Sequence, residues 1–262
     1  MTAEPPPATP EPGDHTHGAN LCSGPSDPHG PEALCRDLKA AFRHTLRTAG
    51  DPTPLLVQAW DSFEGNVAIQ AEGQAPIACR KGCPSCCTLR VSASTPEVLV
   101  IAHYLRTTHA AWQAHGIDLI AALRQADATT RGLDEAQRVA QRTRCPFILD
   151  GVCAIHRVRP LACRGHASHD RSACESAAAG QRVSIPFSGP HRAVRLVVQS
   201  ALLAALRAEG LAWGSHELNH ATVLALDQAD AAPRWLQGED PLSASAIDDE
   251  QRPAMAQWLD AL

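Results

Sequence analysis

The stretch CRKGCPSCCTLRVSASTPEVLVIAHYL, residues 79–105, sets the layout of this chain. It opens with four cysteines, Cys79, Cys83, Cys86 and Cys87. It continues through Thr95-Pro96-Glu97 into Val98, Ile101 and Leu105, a helix-start signal followed by an apolar stripe. A sulfur-rich loop therefore runs straight into a helix. Thiolates packed this densely repel one another unless a cation or oxidation neutralises them. Metal binding is the first chemistry this pattern points to.

Working outward, the helical period dominates. Leu34, Leu38, Phe42 and Leu46 repeat every four residues after Pro31. Thr53-Pro54 starts a second helix, with Thr53 as N-cap and Leu56, Trp60, Phe63 and Val67 turned inward. The helix begun at Thr95 stops near Gly116, and residues 118–143 form another helical stretch broken at Gly132. Further helices are expected over 192–209 and 216–229, with an amphipathic piece over 249–262 carrying Met255, Trp258 and Leu259. One segment departs from this period. In CPFILDGVCAIH, residues 145–156, Asp150-Gly151 separates two short apolar runs, the signature of a two-residue hairpin. The expected fold is mainly α: a helical domain with one small β-hairpin and the cysteines at its turns and helix starts.

The chain has 262 residues, enough for a full core without disulfide staples. Residues 1–30 hold seven prolines and four glycines and almost no apolar side chains. They are expected to form a disordered tail, with His15, His17, Cys22 and His29 as incidental polar residues. Residues 31–262 then form a helical metal-binding domain whose cysteine region spans 79–170. The N-terminus lacks the basic and apolar segments of a secretory signal, and no apolar run nears the roughly 20 residues a bilayer requires. A cytoplasmic protein without a membrane partner is expected, its ten cysteines initially reduced.

Cys145, Cys153 and Cys163 form a second group. Pro84 suggests a helix starting beside Cys83, with Cys86 and Cys87 in its first turn, where the dipole favours thiolate. In an ideal hairpin Cys145 lies across from His156 while Cys153 faces the other way. Cys163 follows Arg159-Pro160, another helix start. Cys22 and Cys35 read as ordinary tail and helix residues; Cys174, in HASHDRSAC, is either such a residue or a spare ligand with His166 or His169, with no firm spacing rule behind it. Six arginines, at 142, 144, 157, 159, 164 and 171, stand against Asp150 and Asp170 in this region. Such cations offset the charge of a thiolate-bound centre. The alternative reading of these arginines is a basic surface for nucleic acid or an acidic substrate; it ranks second because they keep company with the cysteines and the overall charge, -5, is negative.

These blocks resemble the YkgJ-type cysteine-cluster family, described as zinc- or iron-chelating proteins with a CxxCxxCC-like signature. The resemblance rests on Cys79, Cys83, Cys86 and Cys87, then Cys145-Pro146, then Cys153, Ile155, Arg159-Pro160 and Cys163-Arg164. His156 stands where the family usually has Tyr, either as an extra ligand or as a packing residue. The resemblance implies iron–sulfur or zinc binding within 79–170.

The leading expectation is a metal-binding protein whose cysteines 79, 83, 86, 87, 145, 153 and 163 hold an iron–sulfur cluster, [4Fe-4S] by preference, in a structural or redox role. Zinc, presenting a helical interaction surface, is the alternative, since soft thiolates suit both. The C-x3-C-x2-C spacing also admits a radical S-adenosylmethionine enzyme. Against that stand Ser85, where an aromatic usually precedes the third cysteine, and the lack of an alternating strand–helix pattern. The sequence leaves open whether the protein catalyses anything and what its protein partner is.

Overall fold

The protein is described by a computed structural model covering residues 30–247 and 252–262. The expected tail, with His15, His17, Cys22 and His29, lies outside the described residues, apart from Gly30.

Helices make up 61% of the fold, with two small antiparallel sheets. The order is α1 (Pro31–Thr48), α2 (Thr53–Gln70), β1 (Ser92–Ser94), α3 (Thr95–Gln113), α4 (Leu119–Thr130), α5 (Glu135–Gln141), β2 (Ile148–Leu149) and β3 (Val152–Cys153). Then follow α6 (Leu161–Gly165), α7 (Arg171–Ala178), α8 (Gly189–Ala208), β4 (Ser215–Glu217), α9 (Leu218–Asp227), α10 (Ala231–Leu236) and α11 (Arg252–Ala261). No helix among the described residues is long and apolar enough to cross a membrane.

The core forms around α8. Its Val194, Val198, Ala201, Leu202, Ala205 and Leu206 are buried, and α1, α2, α6 and α11 pack against it. A second layer pairs α3 and α4 with α9. Phe42, Leu56, Phe63, Ile101, Leu105 and Leu123 supply the facing side chains, all almost fully enclosed. Three- and four-residue apolar spacing on each helix produces these stripes, and burying them supplies the main driving force.

Two expected N-caps shift by one residue. Helix α2 begins at Thr53 itself, and Asp51 Oδ1 accepts from the Thr53 amide at 2.8 Å. Helix α3 is capped by Ser94, whose amide and hydroxyl both donate to Glu97 Oε2, at 2.7 and 2.8 Å. A shorter reach to the carboxylate explains the second shift: Ser94 precedes Glu97 by the three residues of a capping box, whereas Thr95 lies inside the first turn. The breaks expected at Gly116 and Gly132 occur, both glycines having positive φ, at 73° and 77°.

The sheet joining β1 to β4 was not expected from the sequence. Its register pairs Ser92 with Glu217, Ala93 with His216 and Ser94 with Ser215. Each strand feeds directly into a helix, so the pair fixes the starts of α3 and α9 side by side. The start of α3 follows directly on the cysteine loop.

Candidate metal centre

The first cysteine group lies on loop 78–91, laid over the end of the bundle. The Ala78 amide donates to Ser168 O at 2.8 Å. Cys79 is the most exposed of the seven, and its sulfur accepts from the Ser168 amide at 3.4 Å. The helix expected from Cys83 onward does not form. Residues 83–89 instead make isolated turns, with Cys87 N to Pro84 O at 2.9 Å and Leu89 N to Cys86 O at 3.2 Å. The reason is visible at Cys87: the carbonyl a helix would offer to residue 91 accepts from the Cys145 amide at 2.6 Å.

That one bond joins the two groups. The hairpin pairs Ile148 with Cys153 and Leu149 with Val152. Its turn places Asp150 and Gly151 at φ 47° and 80°, the double left-handed geometry favoured for Asp-Gly. At the tip Gly151 packs against the Gly82 backbone, where a β-carbon would meet Gly82 O at 3.7 Å. Regular pairing ends at Phe147 O, which accepts from Ala154 N at 2.8 Å. Cys145 therefore does not face His156. Pro146 lacks an amide to extend the ladder, and Cys145 turns towards Cys87. His156 is exposed, in a 3-10 turn over His156–Val158.

Cys163 lies on α6, which starts after Pro160 as expected. Two residues fix that short helix. Glu97 Oε1 accepts from the Leu161 amide at 2.7 Å. Arg164 donates to Arg159 O (3.1 Å), Arg157 O (2.9 Å) and Glu64 Oε1 (2.8 Å), and its guanidinium lies 4.9 Å from the Trp60 ring. Gly165 admits the Arg195 side chain of α8 where any β-carbon would collide with it.

The thiols of the two groups sense one another. Those of Cys145 and Cys163 are pushed up by burial, Cys145 to about 12; the charges of Cys153 and Cys86 raise Cys145 further, and those of Cys145, Cys86 and Cys153 raise Cys163. Cys153 is likewise raised by burial. Cys86 is held down to about 7, chiefly by a hydrogen bond from Cys87, whose own thiol is raised by that same bond. Arg159 favours the thiolates of Cys86, Cys153 and Cys163, and Arg138 that of Cys145.

Cys174 belongs to this neighbourhood as well. It lines a small cavity with Cys86 and His166, and its charge acts on Cys79. Sequence reading set it aside because no fixed spacing links it to the other blocks; its place at the turn-facing side of α7 becomes visible only in three dimensions. Cys35 stays apart, fully buried on α1 with its sulfur 3.8 Å from Val197 O. None of the clustered cysteines forms a disulfide. Among the described residues no three His, Cys, Asp or Glu side chains are drawn together tightly enough to hold an ion as they stand.

Around the thiols several guanidinium donors are buried without an acceptor: Arg90 Nε, Arg159 Nε, and Nε and Nη1 of Arg138. Buried N–H groups are rarely left unpaired. Donors of this kind, beside sulfur, suit an anionic sulfur-bound centre.

Residues 78–179 match a family model described as "CxxCxxCC: Putative zinc- or iron-chelating domain". The matched span covers both cysteine groups and extends through Cys174. No curated protein and no solved structure matches the chain.

Proposed function

We propose that Cys79, Cys83, Cys86, Cys87, Cys145, Cys153 and Cys163, joined by Cys174, supply the ligands of one soft-metal centre, an iron–sulfur cluster in a structural or redox role. The observation that carries this reading is the Cys145–Cys87 backbone bond, which draws loop and hairpin together at the level of their thiols. Eight thiols exceed the four that either a tetrahedral zinc or a [4Fe-4S] cluster takes, so four of them suffice for the centre, and the unpaired guanidinium donors suit its net negative charge. When bound, such a cluster would supply an electron store or a covalent clasp. The protein's own residues would position the sulfurs and compensate their charge.

Structural zinc is the second reading, favoured by the short, irregular segments that carry the ligands, which a metal would staple. Anaerobic purification, elemental analysis and a visible spectrum separate the two. A brown protein containing iron and acid-labile sulfide is the expected result. A colourless protein with stoichiometric zinc would transfer the assignment to the second reading, and a chain that retains neither metal would end both.

A further inference from the structure

Two adjoining hollows open beside the cysteine loop. The outer one, about 360 Å³, is lined by Pro84, Ser85, Thr88, Arg142, Arg144 and Glu175. The inner one, about 130 Å³, shares Ser85, Thr88 and Arg142 with it and reaches Cys86 and Cys174. Sharing these residues, the two form one open, funnel-like depression with Cys86 and Cys174 in its wall. Arg142, Arg144 and Glu175 put charge on the outer hollow, while Leu89, Val139 and Ile185 line the inner one.

The charge at the mouth is fixed in place. Arg142 ends α5 in the left-handed conformation, at φ 53°, unusual for a residue other than glycine. Its guanidinium lies over Gly180, where a β-carbon would collide with it, and Gly180 itself has φ 90°. Glu175, the acidic member of the lining, is engaged by Arg171 Nε at 2.5 Å. No described carboxylate pairs with Arg142 or Arg144. Two exposed arginines thus line the outer hollow with no carboxylate partner among the described residues, and guanidinium is the side chain best matched to a carboxylate or phosphate. The apolar inner wall favours an organic body over a bare inorganic ion.

We infer that this funnel binds small organic carboxylates at Arg142 and Arg144 and brings them to the sulfur of Cys86. The inference goes beyond metal binding and holds whichever metal the thiols accept.

The test uses the full chain, reduced and freed of metal by chelation. Cys86 is modified with iodoacetate and, separately, with neutral iodoacetamide, and each product is located by peptide fragmentation. Both reagents attack the same thiolate, so the ratio of their rates cancels its titration and reports the charge at the mouth. In R142Q/R144Q this ratio should fall roughly three- to tenfold, the scale of two nearby, partly screened charges. R142K/R144K should keep most of it, and R144Q alone should lower it part-way, which leaves the test readable if substitution at Arg142 harms folding. Valerate should slow iodoacetamide at Cys86 in the native sequence and not in R142Q/R144Q. An unchanged ratio in R142Q/R144Q would overturn the inference. So would protection by inorganic phosphate equal to that by valerate at matched ionic strength. Because no metal is present, neither result bears on whether the thiols bind one.

Discussion

Glu97, on the first turn of α3, accepts from the backbone amide of Leu161, 64 residues along the chain, at 2.7 Å. The same carboxylate holds the Ser94 amide and hydroxyl, so one buried acid ties the α3 start to the helix that carries Cys163. Glu97→Ala would leave two buried amides unpaired and should cost about 2–4 kcal/mol. Glu97→Gln, which keeps the shape and one acceptor, should cost less. Urea denaturation of both variants checks this, and equal midpoints for Glu97→Ala and the native protein would refute the role.

Arg164 spans three partners beneath the same helix, and its side chain is only 8% exposed. Replacing it with Met keeps an apolar side chain beside Trp60 but removes the cation over its ring and strands the carbonyls of Arg157 and Arg159. A loss of about 2–3 kcal/mol is expected. Amide hydrogen exchange should show the loss concentrated at residues 157–165. Protection that falls uniformly over all the helices would instead make Arg164 a general core residue.

His216 gives the fold a defined acid sensitivity. Ser245 Oγ already donates to Leu242 O, so it accepts from His216 Nδ1 at 3.1 Å, leaving Nε2 to accept from Thr95 Oγ1 at 2.9 Å. Burial lowers the His216 pKa from 6.5, with Asp240 opposing and Arg252 adding to the shift. A histidine kept neutral in the native state binds fewer protons than in the unfolded chain. Its contribution is therefore complete above pH 6.5 and is lost as pH falls from there towards the native value. The unfolding free energy from urea titrations should decline over that window, by at most about 1.4 kcal/mol per pH unit from this group. His216→Gln should flatten that part of the profile, and an unaltered slope in the variant would exclude His216 as its source.

The ligand assignment makes a graded prediction. Cys145→Ser and Cys163→Ser should each lower the metal retained per chain by at least half, while Cys35→Ala, on the far side of α1, should leave it unchanged. Cys174→Ser is expected to weaken retention, measured by competition with a chromophoric chelator. Equal metal content in all four variants would detach the thiols from binding altogether.

The helices were legible because their apolar stripes obey one period, as the placement of α1, α3 and α8 shows. The hairpin was legible for a different reason: Asp150-Gly151 accepts a backbone geometry few other pairs tolerate. What could not be read were features that depend on distant partners. Strands β1 and β4 have three residues each, too few to show alternation, and they exist because each finds the other. The expected helix after Pro84 fails because the Cys87 carbonyl has a better-placed partner 58 positions away. Cys174 was passed over for the same reason: its neighbours are spatial, not sequential. The roles of Glu97 and Arg164 as clamps likewise appear only once α3, α6 and α2 have been brought together.

Helix α8 gathers α1, α2, α6 and α11 on its surface, and of these only α6 bears a clustered cysteine. The scaffold and the sulfur-bearing loops are thus largely separate in construction. Stripping any bound ion from those loops should therefore leave the α8 bundle standing.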